Sequence, residues 1–136
     1  MEKTLLIVKP DAVQRNYIGE IIRRVENARF KVVNIKILRM TKGVAEDFYE
    51  MHRGKTFYDE LTNYMSTGPI VPIVLEAENA ISGLRQLIGN TNPEEAHPGT
   101  IRYDMAVSLT KNSVHASDSR ENAAREIHFF FPKEEL

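Results

Sequence analysis

The chain has 136 residues, no cysteine, and 18 basic against 19 acidic side chains, for a net charge of −1. This excludes a disulfide framework or a thiolate metal site and argues against broad nucleic-acid binding, so no specific nucleic-acid partner is expected. With 42% hydrophobic and 27% charged residues, it reads as a single globular domain over residues 1–136 with enough chain to bury one core.

The opening Thr4-Leu5-Leu6-Ile7-Val8 is a short apolar run, as expected of a central strand buried on both faces. It is far too short for a signal peptide or a membrane span, and a cytoplasmic protein is expected. Lys9-Pro10-Asp11 ends it, and Ile18, Ile21, Ile22 and Val25 then recur at helical spacing, predicting a helix from about Ile18 to Arg29. From Phe30 to Met40, Val33, Ile35 and Ile37 alternate with Asn34 and Lys36, the pattern of a second strand with one wetter face.

Residues Thr41 to Thr67 break that alternation. Ala45, Phe48 and Met51, then Phe57, Leu61, Tyr64 and Met65, predict a hairpin of two short helices flanking His52-Arg53-Gly54-Lys55. Ile70 to Leu75 reads as a third strand, in which Pro72 points to a sheet edge or a bulge. Asn79 to Ile88 is the next helix. Gly89 to Asp104 then runs without periodicity, and so long a loop in a compact domain tends to be functional. Met105, Val107 and Leu109 alternate into a fourth strand leading to His115.

The order strand, helix, strand, helical hairpin, strand, helix, strand, helix predicts an α/β chain of the α+β sandwich type. Its expected form is a ferredoxin-like, four-stranded, mostly antiparallel sheet with helices and the hairpin inserted. That architecture says nothing about activity.

The chemistry concentrates in Asn112-Ser113-Val114-His115-Ala116-Ser117-Asp118-Ser119. Ser117 to Ser119 are residue types that cap helices, so a helix is predicted to begin near Ser117, with His115 just ahead of it where an anion is favoured. Glu126 lies nine residues beyond Ser117. If the helix packs back along the strand, its carboxylate can accept the Nδ1–H of His115 and leave Nε2 as the nucleophile. Lys9 stands at a strand's carboxyl end, where such folds place ligand-contacting groups. Arg85 and Arg102 bracket the long loop, and guanidinium forks suit phosphate oxygens. Each has a plainer reading: Glu126 as a surface residue, Lys9 as a strand terminator, the arginines as ion-pair partners. No P-loop or protein-kinase glycine loop occurs, and His52, His97, His115 and His128 lack metal-ligand spacing.

Several separated motifs together resemble the nucleoside diphosphate kinase family over nearly the whole chain. They are the run Thr4 to Arg15 with Lys9, the hairpin with Tyr49, Phe57 and Gly68-Pro69, the loop with Arg85, Gly89 to Pro93 and Pro98 to Arg102, and the signature Asn112 to Asp118 with Glu126-Ile127. The resemblance implies ping-pong transfer of a γ-phosphoryl group from a nucleoside triphosphate to His115 and on to a nucleoside diphosphate. Mg²⁺ is implied as cofactor, held mainly by the nucleotide phosphates and not by protein ligands, and so is a homo-oligomer, tetramer or hexamer. It further implies that Lys9, Arg85, Thr91 and Arg102 hold phosphates, that Asn112 and Lys9 hold the ribose hydroxyl, and that Phe57 stacks on the base with Leu109 against it. Tyr49 would orient Lys9, Ser117 would contact the transferred group, and Glu126 would orient His115. Ala12, Tyr103 and Ala116 stand where the family has glycine, which puts the local backbone, though no reacting group, in question.

Two other classes share parts of this pattern. A non-catalytic module of the same fold could bind nucleotide or a protein in the cleft, but Lys9, Arg102, His115 and Glu126 together speak against it. A histidine phosphocarrier would share the nucleophile yet have no need of Phe57, Asn112 and a phosphate loop.

Overall fold

A run that is apolar at every position has to be covered on both sides, and Glu2–Val8 forms β1 with Leu5 to Val8 fully buried inside a four-stranded sheet. The computed structural model describes residues 1–108 and 111–134. The sheet order is β2 (Lys31–Ile35), β3 (Val71–Ala77), β1, β4 (Val114–Ala116), and every neighbouring pair is antiparallel. Side chains alternate across β1. Leu6 and Val8 face a layer containing α1 (Pro10–Gln14), α2 (Ile18–Asn27), α5 (Ala80–Ile88) and α6 (Ile101–Met105). Leu5 and Ile7 face the hairpin α3 (Lys42–Phe48) and α4 (Tyr58–Met65), together with α7 (Arg120–Phe130). Truncating either Leu5 or Ile7 to alanine would cost about 2–5 kcal/mol through the cavity left behind.

The ferredoxin-like sandwich and the projecting hairpin are as expected, whereas five local features differ. In β2 the predicted alternation fails: Ile35 is 41% and Ile37 66% exposed. The pairing with β3 shifts register between Val32 and Asn34, and β2 is the sheet edge, so its far side meets no second strand. Pro72 lies in β3, an inner strand, and not at an edge. Its carbonyl accepts the Lys36 N–H at 3.3 Å just beyond the end of β2. The missing proline N–H therefore falls where the ladder opens before Leu38 pairs with Ile70.

The loop from Gly89 to Asp104 contains a 3₁₀ turn, Pro93–Glu95, and helix α6, whose N-terminus is capped by the Thr100 hydroxyl accepting from Tyr103 N. Gly89 has φ 89°, and a β-carbon there would sit 2.5 Å from Thr100 Oγ1. Only glycine lets these two segments touch. The fourth strand is Val114–Ala116, not Met105 to Leu109: Met105 closes α6, Val107 is 61% exposed, and Leu109 lies outside the described residues. Finally, α7 begins at Arg120 with Ser119 as its cap, because Ser117, just past β4, is still bonded to β1, its N–H reaching Leu5 O at 3.2 Å. His115 consequently lies within β4 opposite Ile7 and not at a helix terminus.

Candidate active site

Lys9 follows directly on β1 beside β4: its backbone N–H bonds Ser113 O at 2.9 Å, and the two strands open together onto one cleft. The cleft has a volume of about 370 Å³, within the range of small-molecule sites, and its walls include Lys9, Tyr49, Phe57, Arg85, Thr91, Arg102, Asn112, His115 and Glu126. Of the described residues singled out in the sequence for the site, all but Ser117 thus line the cleft; Leu109 lies outside the described residues.

His115 is held by the carboxylate of Glu126, but through Nε2: that nitrogen lies 2.9 Å from Glu126 Oε1. The expected arrangement, with Nδ1 on the carboxylate, is reversed. β4 presents the ring with its far nitrogen toward α7, so in the neutral imidazole Nε2 carries the hydrogen and Nδ1 keeps the free lone pair. Ser117 donates to the same Glu126 oxygen at 2.6 Å and is fully buried. Its hydroxyl is thereby engaged by Glu126, whereas the resemblance implies that Ser117 contacts the transferred group. Burial by itself would raise the Glu126 carboxyl, but the neighbouring His115 and the hydrogen bonds from His115 and Ser117 outweigh it and hold Glu126 below the usual range. Phe48 and Tyr49 stand edge-on to the imidazole, with centroids 5.6 and 6.1 Å away.

The opposite wall is cationic. Lys9 Nζ donates to Asn112 Oδ1 at 2.8 Å, and Asn112 Nδ2 donates to Thr91 O at 3.2 Å, joining the strand end to the long loop. Burial, then the Arg102 guanidinium, push the Lys9 ammonium down to about 7, with Asp11 offsetting part of this. Arg102 spans the loop and β4 by donating to Gly89 O at 3.1 Å and Val114 O at 2.9 Å, while its Nε is buried with no partner among the described residues. Burial and then Arg85 bring Arg102 down to about 10, so it stays charged at neutral pH. Arg85 donates to Ala116 O at 3.3 Å. Three cations gathered in one partly buried cleft repel one another and call for a polyanion.

The resemblance implies that Tyr49 orients Lys9; the buried Tyr49 hydroxyl has no hydrogen-bond partner among the described residues, and the Lys9 ammonium donates to Asn112. Burial, then Glu126, raise the Tyr49 phenol, which stays protonated. Phe57 is 43% exposed at the cleft's lip, its ring 5.2 Å from that of His52.

His52, Asp118 and Asn122 also line the cleft and were missed. Asp118 and Asn122, bonded at 2.6 Å, lie four residues apart, a spacing that could have flagged them; His52 sits in the segment joining the hairpin helices. Ala12 and Tyr103 lie in helices and Ala116 in β4, and none has positive φ. The backbone at these positions does not require glycine.

The sequence model of the nucleoside diphosphate kinase family matches residues 2–136. A nucleoside diphosphate kinase of Desulfatibacillum aliphaticivorans is 54% identical over 136 residues, covering 100% of this chain and 99% of that protein. One from Salinibacter ruber is 50% identical over 135 residues, 99% of this chain and 95% of that protein. Among solved structures, the Aquifex aeolicus nucleoside diphosphate kinase superposes with a TM-score of 0.94 at 44% identity, over 96% of this chain and 94% of that one. The Encephalitozoon cuniculi enzyme gives 0.95 at 36% identity, over 100% and 94%.

Proposed function

The chain belongs to the nucleoside diphosphate kinase family and moves γ-phosphoryl groups between nucleotides by a ping-pong phosphohistidine route, and we propose that His115 is the histidine phosphorylated, through Nδ1. The observation that carries this is the Nε2–Glu126 bond, which leaves Nδ1 as the nucleophilic nitrogen on a cleft lined by Lys9, Arg85 and Arg102. A bond forms between Nδ1 and the γ-phosphorus as the bond from that phosphorus to the bridging β-oxygen breaks, releasing nucleoside diphosphate. A second diphosphate then attacks the phosphohistidine along the reverse path. The imidazole gains positive character as it is phosphorylated, and the Glu126 carboxylate on Nε2–H stabilises it. Phosphoryl transfer depends mainly on positioning and charge neutralisation, which Lys9, Arg85, Thr91 and Arg102 supply to the phosphates. Asn112 and Lys9 take the ribose hydroxyl, and Phe57 stacks on the base. Ser117 acts by holding Glu126.

A kinase of this family needs a divalent metal, and Mg²⁺ is the ion we assign. Among the described residues no group of three or more His, Asp or Glu is placed to hold a metal, which suits an ion carried on phosphate oxygens. Of the two carboxylates lining the cleft, Glu126 is engaged by His115 and Ser117, so Asp118 is the one left to face that ion. Bound there, Mg²⁺ would neutralise phosphate charge and fix the polyphosphate's conformation.

Residues 1–136 act as one domain in this reading. The open edge of β2 with exposed Ile35 and Ile37 supports assembly into a homo-tetramer or hexamer, measurable by sedimentation. A cytoplasmic location is part of the same proposal; separately, among the described residues no helix is long and apolar enough to cross a membrane. The test of the site is exposure to a nucleoside triphosphate with Mg²⁺ and no acceptor. Wild type should accumulate an acid-labile phosphohistidine and His115→Ala should not; stoichiometric phosphorylation of the alanine variant would refute the assignment.

A further inference from the structure

The last carbonyls of an α-helix have no donors within the helix, and something outside must satisfy them. At the C-terminus of α3, Ala45 O takes the Tyr49 N–H at 3.1 Å and Glu46 O accepts from the Tyr58 hydroxyl at 3.0 Å. Asp47 O and Phe48 O both accept from one nitrogen, Nη2 of Arg125, at 3.1 and 2.8 Å. Arg125 comes from α7, immediately before Glu126. Its guanidinium also lies 5.8 Å from the centroid of Phe48.

These contacts meet at His115 from two sides. Glu126 fixes the imidazole through Nε2, while Phe48 and Tyr49 lie edge-on to the ring at interplanar angles of 73° and 85°. Arg125 links the two: it neighbours Glu126 in the chain and grips the backbone of Asp47 and Phe48. Solvent could satisfy two helix-end carbonyls as well. Here, instead, a long side chain spans two elements, and its Nη1 is buried with no partner among the described residues. Such an arrangement gives up hydration of the guanidinium and gains a fixed distance between α3 and α7.

We propose that Arg125 is a positioning residue for phosphoryl transfer: by tying the end of α3 to α7 it holds the Phe48–Tyr49 wall against the imidazole that Glu126 orients. The proposal rests on the reading of His115 as the phosphorylated residue. Attack on phosphorus is in line and intolerant of displacement, so loosening one wall slows transfer without weakening the grip of Lys9, Arg85 and Arg102 on the nucleotide.

Rapid-quench phosphorylation of the full chain by a saturating nucleoside triphosphate with Mg²⁺ tests this, at a temperature where near-UV circular dichroism shows each variant folded. Arg125→Met keeps the apolar stem and loses the fork. Its phosphorylation rate should fall roughly ten- to a hundredfold, while the triphosphate Kd stays within about threefold of wild type. The ¹⁵N signals of the His115 imidazole should broaden as the ring samples a second orientation. Arg125→Lys, which restores charge and donors without the planar fork, should give an intermediate rate. A wild-type rate in Arg125→Met, with only a lowered unfolding midpoint, would reduce Arg125 to a helix cap and overturn the proposal. Where the methionine variant does not fold, the lysine variant decides: slower phosphorylation at unchanged Kd supports the role, and an unchanged rate overturns it. A wild-type protein that is not phosphorylated on His115 would overturn the site reading, and this inference with it, before Arg125 is varied.

Discussion

Glu126 turns one carboxylate oxygen to His115 Nε2, 2.9 Å away, and the same oxygen receives the Ser117 hydroxyl at 2.6 Å. Glu126→Gln keeps an acceptor but loses the charge that stabilises the phosphoimidazole. The phosphoenzyme should still form, more slowly by about 10- to 100-fold, as is usual when the partner of a working histidine is neutralised. Loss of phosphorylation altogether, seen by rapid quench, would make Glu126 essential and not merely orienting. Stability should respond as well. The Glu126 carboxyl is depressed in the folded state, so its contribution is present above the ordinary carboxylate pKa and lost as pH falls through the depressed value. The difference in unfolding midpoint between wild type and Glu126→Gln should therefore shrink in acid.

Lys9 predicts a proton signal on binding. With its ammonium brought down to about 7 by burial and Arg102, Lys9 is largely neutral at pH 8 in the empty cleft. A polyphosphate arriving beside it favours the charged form. Nucleotide binding at pH 8 should therefore take up close to one proton per site and at pH 6 almost none, read from calorimetric heats in buffers of different ionisation enthalpy. The empty protein behaves in the complementary way. A depressed amine binds fewer protons folded than unfolded, so the stability linked to Lys9 should rise from pH 7 upward toward the ordinary lysine value of 10.5. Equal heats in all buffers at pH 8 would contradict the depressed pKa.

What was legible in the sequence is what periodicity and chain position control. β1 is apolar on both faces because it is buried on both, α2 repeats Ile21 and Val25 at the core, and Lys9 and Arg102 sit where strand and loop must border a cleft. The misread elements are those set by pairing and not by local pattern. β4 has only three residues and exists because it pairs with Leu6, Ile7 and Val8; α6 has five and is made by a threonine cap. The choice of ring nitrogen at His115 depends on which side α7 approaches β4, and the fate of the Ser117 hydroxyl depends on Glu126 arriving beside it. No residue spacing carries either.

Gly89 is the loop position with least latitude. It has φ 89°, a β-carbon would meet Thr100 Oγ1 at 2.5 Å, and its carbonyl receives Arg102. Gly89→Ala has to displace Thr100, which caps α6, the helix carrying Arg102. The variant should lose about 1–3 kcal/mol of stability and bind nucleotide more weakly, because one phosphate-gripping cation shifts. A denaturant midpoint and nucleotide KM indistinguishable from wild type would show that the contact is easily relieved.

Phe57 stands 43% exposed at the lip of the cleft, with the Lys55 ammonium 5.8 Å from its ring centroid and His52 beside it. A phenyl face offers stacking to any base and no hydrogen bond to tell one base edge from another. Stacking on an aromatic ring is worth about 1–3 kcal/mol per base, so Phe57→Ala should raise KM roughly 5- to 150-fold. The rise should be similar for adenine, guanine, cytosine, uracil and thymine diphosphates. The base is remote from the γ-phosphorus and is held alike in ground and transition states, so kcat should change little. The wild-type protein should correspondingly use all of these diphosphates with kcat/KM values far closer than a thousandfold, about 4 kcal/mol. If the alanine variant lost one base selectively, or lost kcat in place of affinity, Phe57 would be reading base edges or shaping the phosphate end, and the stacking role would be wrong.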